Sequence, residues 1–109
     1  MPSRREKLEE MLAAEPNDSF LHYALANEYE NEGRFEESLD YFARLRGGPS
    51  PHIPSFLRSA QVLVRLQRID EARAVLREGI DLARAAGASH PAAEMGELLV
   101  SLGKAGEGS

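Results

Sequence analysis

The sequence repeats itself. Displaced by 34 residues without a gap, RFEES (34–38) falls on RIDEA (68–72). The same displacement sets His22 on Phe56, Ala26 on Ala60, Tyr29 on Leu63, Phe35 on Ile69, Glu37 on Glu71, Ser38 on Ala72 and Phe42 on Leu76. A fixed period of this size means that one supersecondary unit is used more than once. Such a unit cannot bury its apolar face alone and must stack on its neighbours. That requirement constrains the fold more than any single motif in the chain.

The unit is helical. There is no sustained apolar/polar alternation, and no Asn-Gly or Asp-Gly joins two apolar runs. Six helical segments are predicted. The first spans about 3–14, with Ser3 and Glu6 in a capping-box pattern and Leu8, Met11 and Leu12 as its apolar stripe. Pro16 stops it. The second spans about 19–32 behind an Asp18 N-cap, and the third about 35–46, with Phe35, Leu39, Phe42 and Leu45 on one face. GGPSP (47–51) is a loop, and the fourth segment, about 53–66, takes Pro54 in its first turn. The fifth, about 69–86, is closed by Gly87 as a left-handed cap. The sixth spans about 90–102, opened by Ser89-His90-Pro91, and the tail from 103 onward is expected to fray. Short loops make neighbouring helices antiparallel. Gly33, inside NEYENEGRFEESLDYF (27–42), is therefore the bend of a helical hairpin, and replacing it with valine is expected to destabilise the chain if its φ is positive.

These positions resemble the tetratricopeptide repeat, a helix-turn-helix unit of the same period. The family places a large residue early in its first helix, here His22 and Phe56, then a small one, Ala26 and Ala60, and a bulky one a turn later, Tyr29 and Leu63. The turn glycine is Gly33. The second helix opens on a small residue, Ser38 or Ala72, and continues with a bulky one, Phe42 or Leu76. Two departures stand out: Gln67 replaces the turn glycine in the second unit, and Leu45 stands in the first unit where the second has Gly79. The resemblance implies an all-α fold of stacked antiparallel hairpins, a short right-handed solenoid of about six helices in one domain over 1–109. Within it, 1–16 is a half repeat, 19–52 and 53–87 are full units, 89–103 is a capping helix and 104–109 a flexible tail. The look of the chain is similar to small standalone bacterial proteins of the family.

Composition narrows the chemistry. No cysteine is present, which removes disulfides, thiolate zinc sites and cysteine nucleophiles. The net charge is −5, and all of it lies in residues 1–50, with 11 acidic against 6 basic side chains. An acidic chain of this kind is a poor binder of phosphate backbones, so no nucleic-acid partner is expected. No signal-peptide pattern and no membrane-length apolar run occur, and a cytoplasmic location without membrane association is the expectation. Asp18 and His22 share a helix face, but two ligands do not hold a metal, so Asp18 is read as a cap and His22 as packing. His52 lies in a proline-rich loop, and His90 sits at a helix start. Glu28, Glu30, Glu32, Glu36 and Glu37 read as a solvated face around the turn, not as a buried acid/base pair. No nucleophile elbow and no phosphate-cradling loop are present. No enzyme activity, cofactor or metal is expected.

The resemblance implies a protein-interaction module. In the family the first helix of each unit lines a concave groove. The corresponding residues are Phe20, Tyr23, Asn27, Glu30 and Asn31 from the first unit and Leu57, Gln61, Val64 and Arg65 from the second. Two aromatics, two aliphatics and several amides suit a peptide or helix docking by apolar side chains. A competing reading puts Phe20 and Tyr23 in the core under the first helix. One subfamily clamps chaperone C-terminal carboxylates with lysine, asparagine and arginine. Asn27 matches that clamp, but Tyr23 occupies a lysine position, so this ligand is not expected. Self-association is the alternative function, with Leu8, Met11 and Leu12 at one end and Met95, Leu98, Leu99, Val100 and Leu102 at the other available to stack between chains.

Overall fold

The computed structural model describes the backbone of residues 2–107 and the side chains of residues 2–103. It contains α1 (Arg4–Ala14), α2 (Ser19–Asn31), α3 (Phe35–Arg46), α4 (Ile53–Arg65), α5 (Ile69–Ala85) and α6 (Ser89–Glu107), and no strand among the described residues. This is an all-α helical repeat fold. The chain forms two compact units, Met1–Pro51 and His52–Ser109.

In the first unit α1 packs on α2, and α2 pairs with α3. The capping box forms as predicted: Glu6 N–H donates to Ser3 Oγ at 3.1 Å, and Ser3 N–H donates to Glu6 Oε1 at 3.3 Å. The Asp18 carboxylate accepts the Leu21 N–H at 3.2 Å and caps α2. Leu8, Leu21, Leu25 and Tyr29 make a buried cluster, with Leu12, Ala24 and Tyr41 packed against it. The small residues act as the repeat pattern requires. Ser38, wholly buried, donates its hydroxyl to the Ala26 carbonyl at 2.8 Å, which holds α3 close to α2.

In the second unit α4, α5 and α6 pack on one another. Gly79 of α5 sits where all three meet. A methyl group there would lie 2.6 Å from Phe56 Cβ and 2.7 Å from Met95 Sδ. Phe56, Ala60, Leu76 and Met95 are wholly buried around it. Arg73 Nη2 donates to the Leu102 carbonyl at 2.8 Å and ties α5 to α6.

Three helices end in the same device. After α2, Gly33 N–H reaches the Glu30 carbonyl at 2.9 Å and Arg34 N–H the Tyr29 carbonyl at 2.8 Å. After α4, Gln67 and Arg68 donate likewise to Val64 and Leu63 at 2.9 and 2.8 Å, and after α5 Gly87 and Ala88 donate to Arg84 and Ala83 at 3.1 and 2.8 Å. These paired bonds satisfy orphan carbonyls and require a left-handed residue at their centre. The φ values are 76° at Gly33, 60° at Gln67 and 71° at Gly87. One boundary differs from the sequence reading. The backbone of α6 stays helical to Glu107, past the end expected at 102. A glycine lowers helix propensity by only about 1 kcal/mol, and no proline follows Gly103 to force a stop.

Candidate functional site

The predicted site residues fall on one row of α2 and one row of α4. On α2, positions 20, 23, 27, 30 and 31 follow the three- and four-residue spacing of a single helix face. Phe20 opens the row and is 74% exposed. It is not core: α1 leaves it uncovered. Tyr23 is half-buried and meets Phe42 edge-on, with ring centroids 5.9 Å apart. One side of its ring is thus fixed by packing while the row continues through half-buried Asn27 and Glu30 to exposed Asn31. The competing core reading holds for part of Tyr23 and not for Phe20.

On α4, Leu57 and Val64 are half-buried, and Gln61 and Arg65 are exposed. The opposite side of α4 carries the buried Phe56, Ser59, Ala60 and Leu63. Each row is therefore an apolar strip with polar neighbours, carried on a helix whose other face is locked into its unit. Helices of this kind present side chains more rigidly than loops do.

A polar network that sequence spacing did not reveal fixes α1 to α2. Arg5 pairs with Glu9 and with Glu32, both at 2.9 Å, and Arg4 pairs with Glu28 at 2.8 Å. The Tyr29 hydroxyl donates to Glu9 Oε1 at 2.6 Å. The guanidinium of Arg34 lies 4.9 Å from the Tyr29 ring centroid, Tyr29 stacks on Tyr41 at 5.5 Å, and Arg44 lies 4.8 Å over Tyr41. Cation–π and stacking contacts of this geometry favour a fixed ring orientation. The Tyr29 hydrogen bond, then Arg5, hold the Glu9 carboxyl below the usual carboxylate range. Burial, then the Glu9 hydrogen bond, push the Tyr29 phenol up to about 12. The glutamates around the turn are thus not simply a solvated face: Glu28, Glu32 and Glu37 each hold an arginine. The hidden signal was Arg4 and Arg5 at the start of α1, which could be placed opposite Glu28 and Glu32 only once the helices were packed.

Two histidines make local contacts. His22 Nε2 lies 2.8 Å from the Pro16 carbonyl, and its ring lies 5.8 Å from that of Tyr41. His52 Nδ1 lies 2.7 Å from Ser55 Oγ, and burial lowers the His52 pKa. Ser55 is wholly buried in the first turn of α4. Among the described residues no group of three or more His, Cys, Asp or Glu side chains could hold a metal ion. Among them, too, no helix is long and apolar enough to cross a membrane.

Comparison with known proteins agrees with this architecture. A family model described as tetratricopeptide repeat matches residues 21–45 and 53–85. A tetratricopeptide repeat domain protein from Salinibacter ruber, solved in solution, superposes with a TM-score of 0.74 at 25% identity, over 80% of this chain and 88% of that one. A protein from Bordetella parapertussis, also solved in solution, superposes with a TM-score of 0.81 at 20% identity, over 95% and 90% of the two chains. Among curated proteins, none matches the sequence. The match in both repeats, with the small and bulky residues of the unit buried where the repeat needs them, makes this chain a member of the tetratricopeptide-repeat family.

Proposed function

We propose that the chain is a non-enzymatic interaction module that binds a peptide or helix of a partner protein on the outward rows of α2 and α4. Tetratricopeptide repeats generally mediate protein–protein interaction, which gives the class. The observation that carries the finer reading is Phe20. It is a large aromatic side chain, 74% exposed, at the start of a helix whose opposite face is buried. Aromatic side chains anchor interfaces when they enter a partner's pocket, and neighbouring amides then satisfy the partner's backbone groups. On α2 the amides are Asn27 and Asn31, with Tyr23 as an apolar contact and Glu30 as a charged neighbour; on α4 the amide is Gln61, with Leu57 and Val64 as apolar contacts and Arg65 as the charged neighbour. The test is affinity capture from lysate of the native source with wild type and Phe20→Ala side by side. Circular dichroism checks the fold of the variant, which removes no buried contact. The expected result is a partner retained by wild type and reduced at least about tenfold by the variant, roughly the effect of losing 1.4 kcal/mol. Equal capture by a folded variant would overturn the assignment of this row.

A further inference from the structure

Arg44 is an arginine without a carboxylate in an acidic unit, and from it we propose that the pocket between the α1–α2 turn and the end of α3 takes a carboxylate side chain of the partner segment. The proposal rests on the reading that a segment docks on the α2 row, and it names one chemical group that the segment carries. The pocket lies within the first unit and measures about 310 Å³. Pro16, Asn17 and Ser19 line it from the turn and the start of α2, His22 from further along α2, and Arg44 and Leu45 from α3. Ser19 is one position from Phe20, so the pocket and the row begin at the same end of one helix.

The pairing of charges singles out Arg44. Residues 1–50 hold 11 acidic and 6 basic side chains. Arg4, Arg5 and Arg34 each pair with a glutamate of the same unit. Asp40 stands four positions before Arg44, a spacing that permits an ion pair on a helix. Arg44 makes none, with Asp40 or with any other described residue. Its guanidinium lies over the Tyr41 ring at 4.8 Å, and Tyr41 is itself held by ring contacts with Tyr29 at 5.5 Å and His22 at 5.8 Å. A guanidinium fixed over a ring keeps its N–H edge for a planar acceptor, and a carboxylate fits that fork with two parallel hydrogen bonds. The Ser19 hydroxyl and the Asn17 amide add donors at the same pocket. Pro16 and the buried Leu45 supply an apolar wall for the methylenes that carry the carboxylate. Of the acids nearest in sequence, Asp18 accepts the Leu21 N–H as the cap of α2, and Glu15 is exposed, where solvent screens it. One arginine suits one negative charge. Its attraction grows in proportion to the charge of the ligand, while the cost of desolvating that charge grows with its square. A carboxylate therefore fits this pocket better than a phosphate dianion does.

The test uses two blocked peptides, acetyl-Phe-Ala-Ala-Glu-amide and its counterpart with Gln in place of Glu. Each is titrated into the isotope-labelled full chain and followed by NMR at the Arg44 Nε–H and at the Asn17 and Ser19 amides. The Glu peptide is expected to bind at least about tenfold more tightly than the Gln peptide, with saturable shifts at all three groups. Arg44→Gln changes an exposed position to another good helix former, so the circular dichroism is expected to stay as it is and the preference for Glu to disappear. Sodium acetate is expected to shift the same resonances at higher concentration, and inorganic phosphate at equal ionic strength to bind more weakly than acetate. Equal binding of the two peptides by wild type, a preference for Glu that survives Arg44→Gln, or phosphate binding tighter than acetate would each overturn the proposal. Phe20→Ala separates the pocket from the row. Two peptides bound equally by wild type and weakened alike in Phe20→Ala would overturn the pocket and leave the row standing. A preference for Glu in wild type, with neither peptide weakened in Phe20→Ala, would overturn the row and leave the carboxylate pocket.

Discussion

Gln67 holds with a full side chain the backbone conformation that Gly33 holds without one. Both sit at the centre of the same pair of helix-ending hydrogen bonds, at φ 60° and 76°. A left-handed conformation costs a non-glycine residue about 1–2 kcal/mol, while glycine loses about 0.4–1 kcal/mol more entropy on folding. Gln67→Gly is therefore expected to stabilise the protein by about 0.5–1 kcal/mol, and Gly33→Val to destabilise it by about 1–2 kcal/mol, both read from urea midpoints. At Gly33 there is room for a side chain, and only the φ forbids it. Gly79 is the reverse case. Its backbone is ordinary helix, but the space is taken by Phe56 and Met95. Overpacking of about 1–3 kcal/mol exceeds the gain of about 1 kcal/mol in helix propensity, so Gly79→Ala should lower stability in the same measurement. Gly33 could be recognised in the sequence because glycine punctuates helices. The conformation of Gln67 could be inferred only through the repeat register, since nothing in glutamine itself signals it. The tight fit at Gly79 depends on two side chains from other helices and was not visible.

At the level of elements, both ends of α1 to α5 and the start of α6 were readable to within about a residue, because caps and prolines are local signals. The end of α6 lies past 102, because the helical backbone continues through Gly103 where the sequence predicts a frayed tail. What binds α1 was not readable at all. Its stripe of Leu8 and Leu12 was evident, but the pairing of Arg5 with Glu32 spans 27 positions and depends on how two helices pack. This network predicts a pH response. The folded protein holds the Glu9 carboxyl below its ordinary range, so deprotonated Glu9 favours the folded state. That contribution is complete above the unfolded carboxylate pKa of about 4.3 and is lost as pH falls through the lower folded value. Tyr29→Phe removes the largest cause of the shift. The variant should be less stable than wild type at pH 7, and the gap should narrow as pH falls through the acid range. A gap independent of pH would mean that the Tyr29–Glu9 bond does not set the shift. At the alkaline end the sign reverses. The Tyr29 phenol, raised to about 12, favours folding while protonated, so wild-type stability should fall between about pH 10 and 12.

For the molecule as a whole, the period of the sequence was enough to give the all-α repeat architecture, because each unit must bury the same faces against like neighbours. The class of function follows from the family. The identity of the bound partner follows from neither, since a binding row is defined by what it leaves uncovered. Phe20 illustrates the difference. Its sequence position is equally compatible with packing under α1, and only the packed helices show it 74% exposed. Sequence had also named the terminal apolar residues, but not that Val100 and Met11 are the exposed ones among them, at 63% and 54%. The central claim is that the row starting at Phe20 meets a partner protein. It is tested most directly by placing a photo-crosslinking phenylalanine analogue at position 20, with the exposed Asp40 of α3 as the control position, in cells of the native source. The account predicts one discrete crosslinked species from position 20 that is absent from position 40. The same species from both positions, or none from position 20 while wild type still captures a partner, would contradict it.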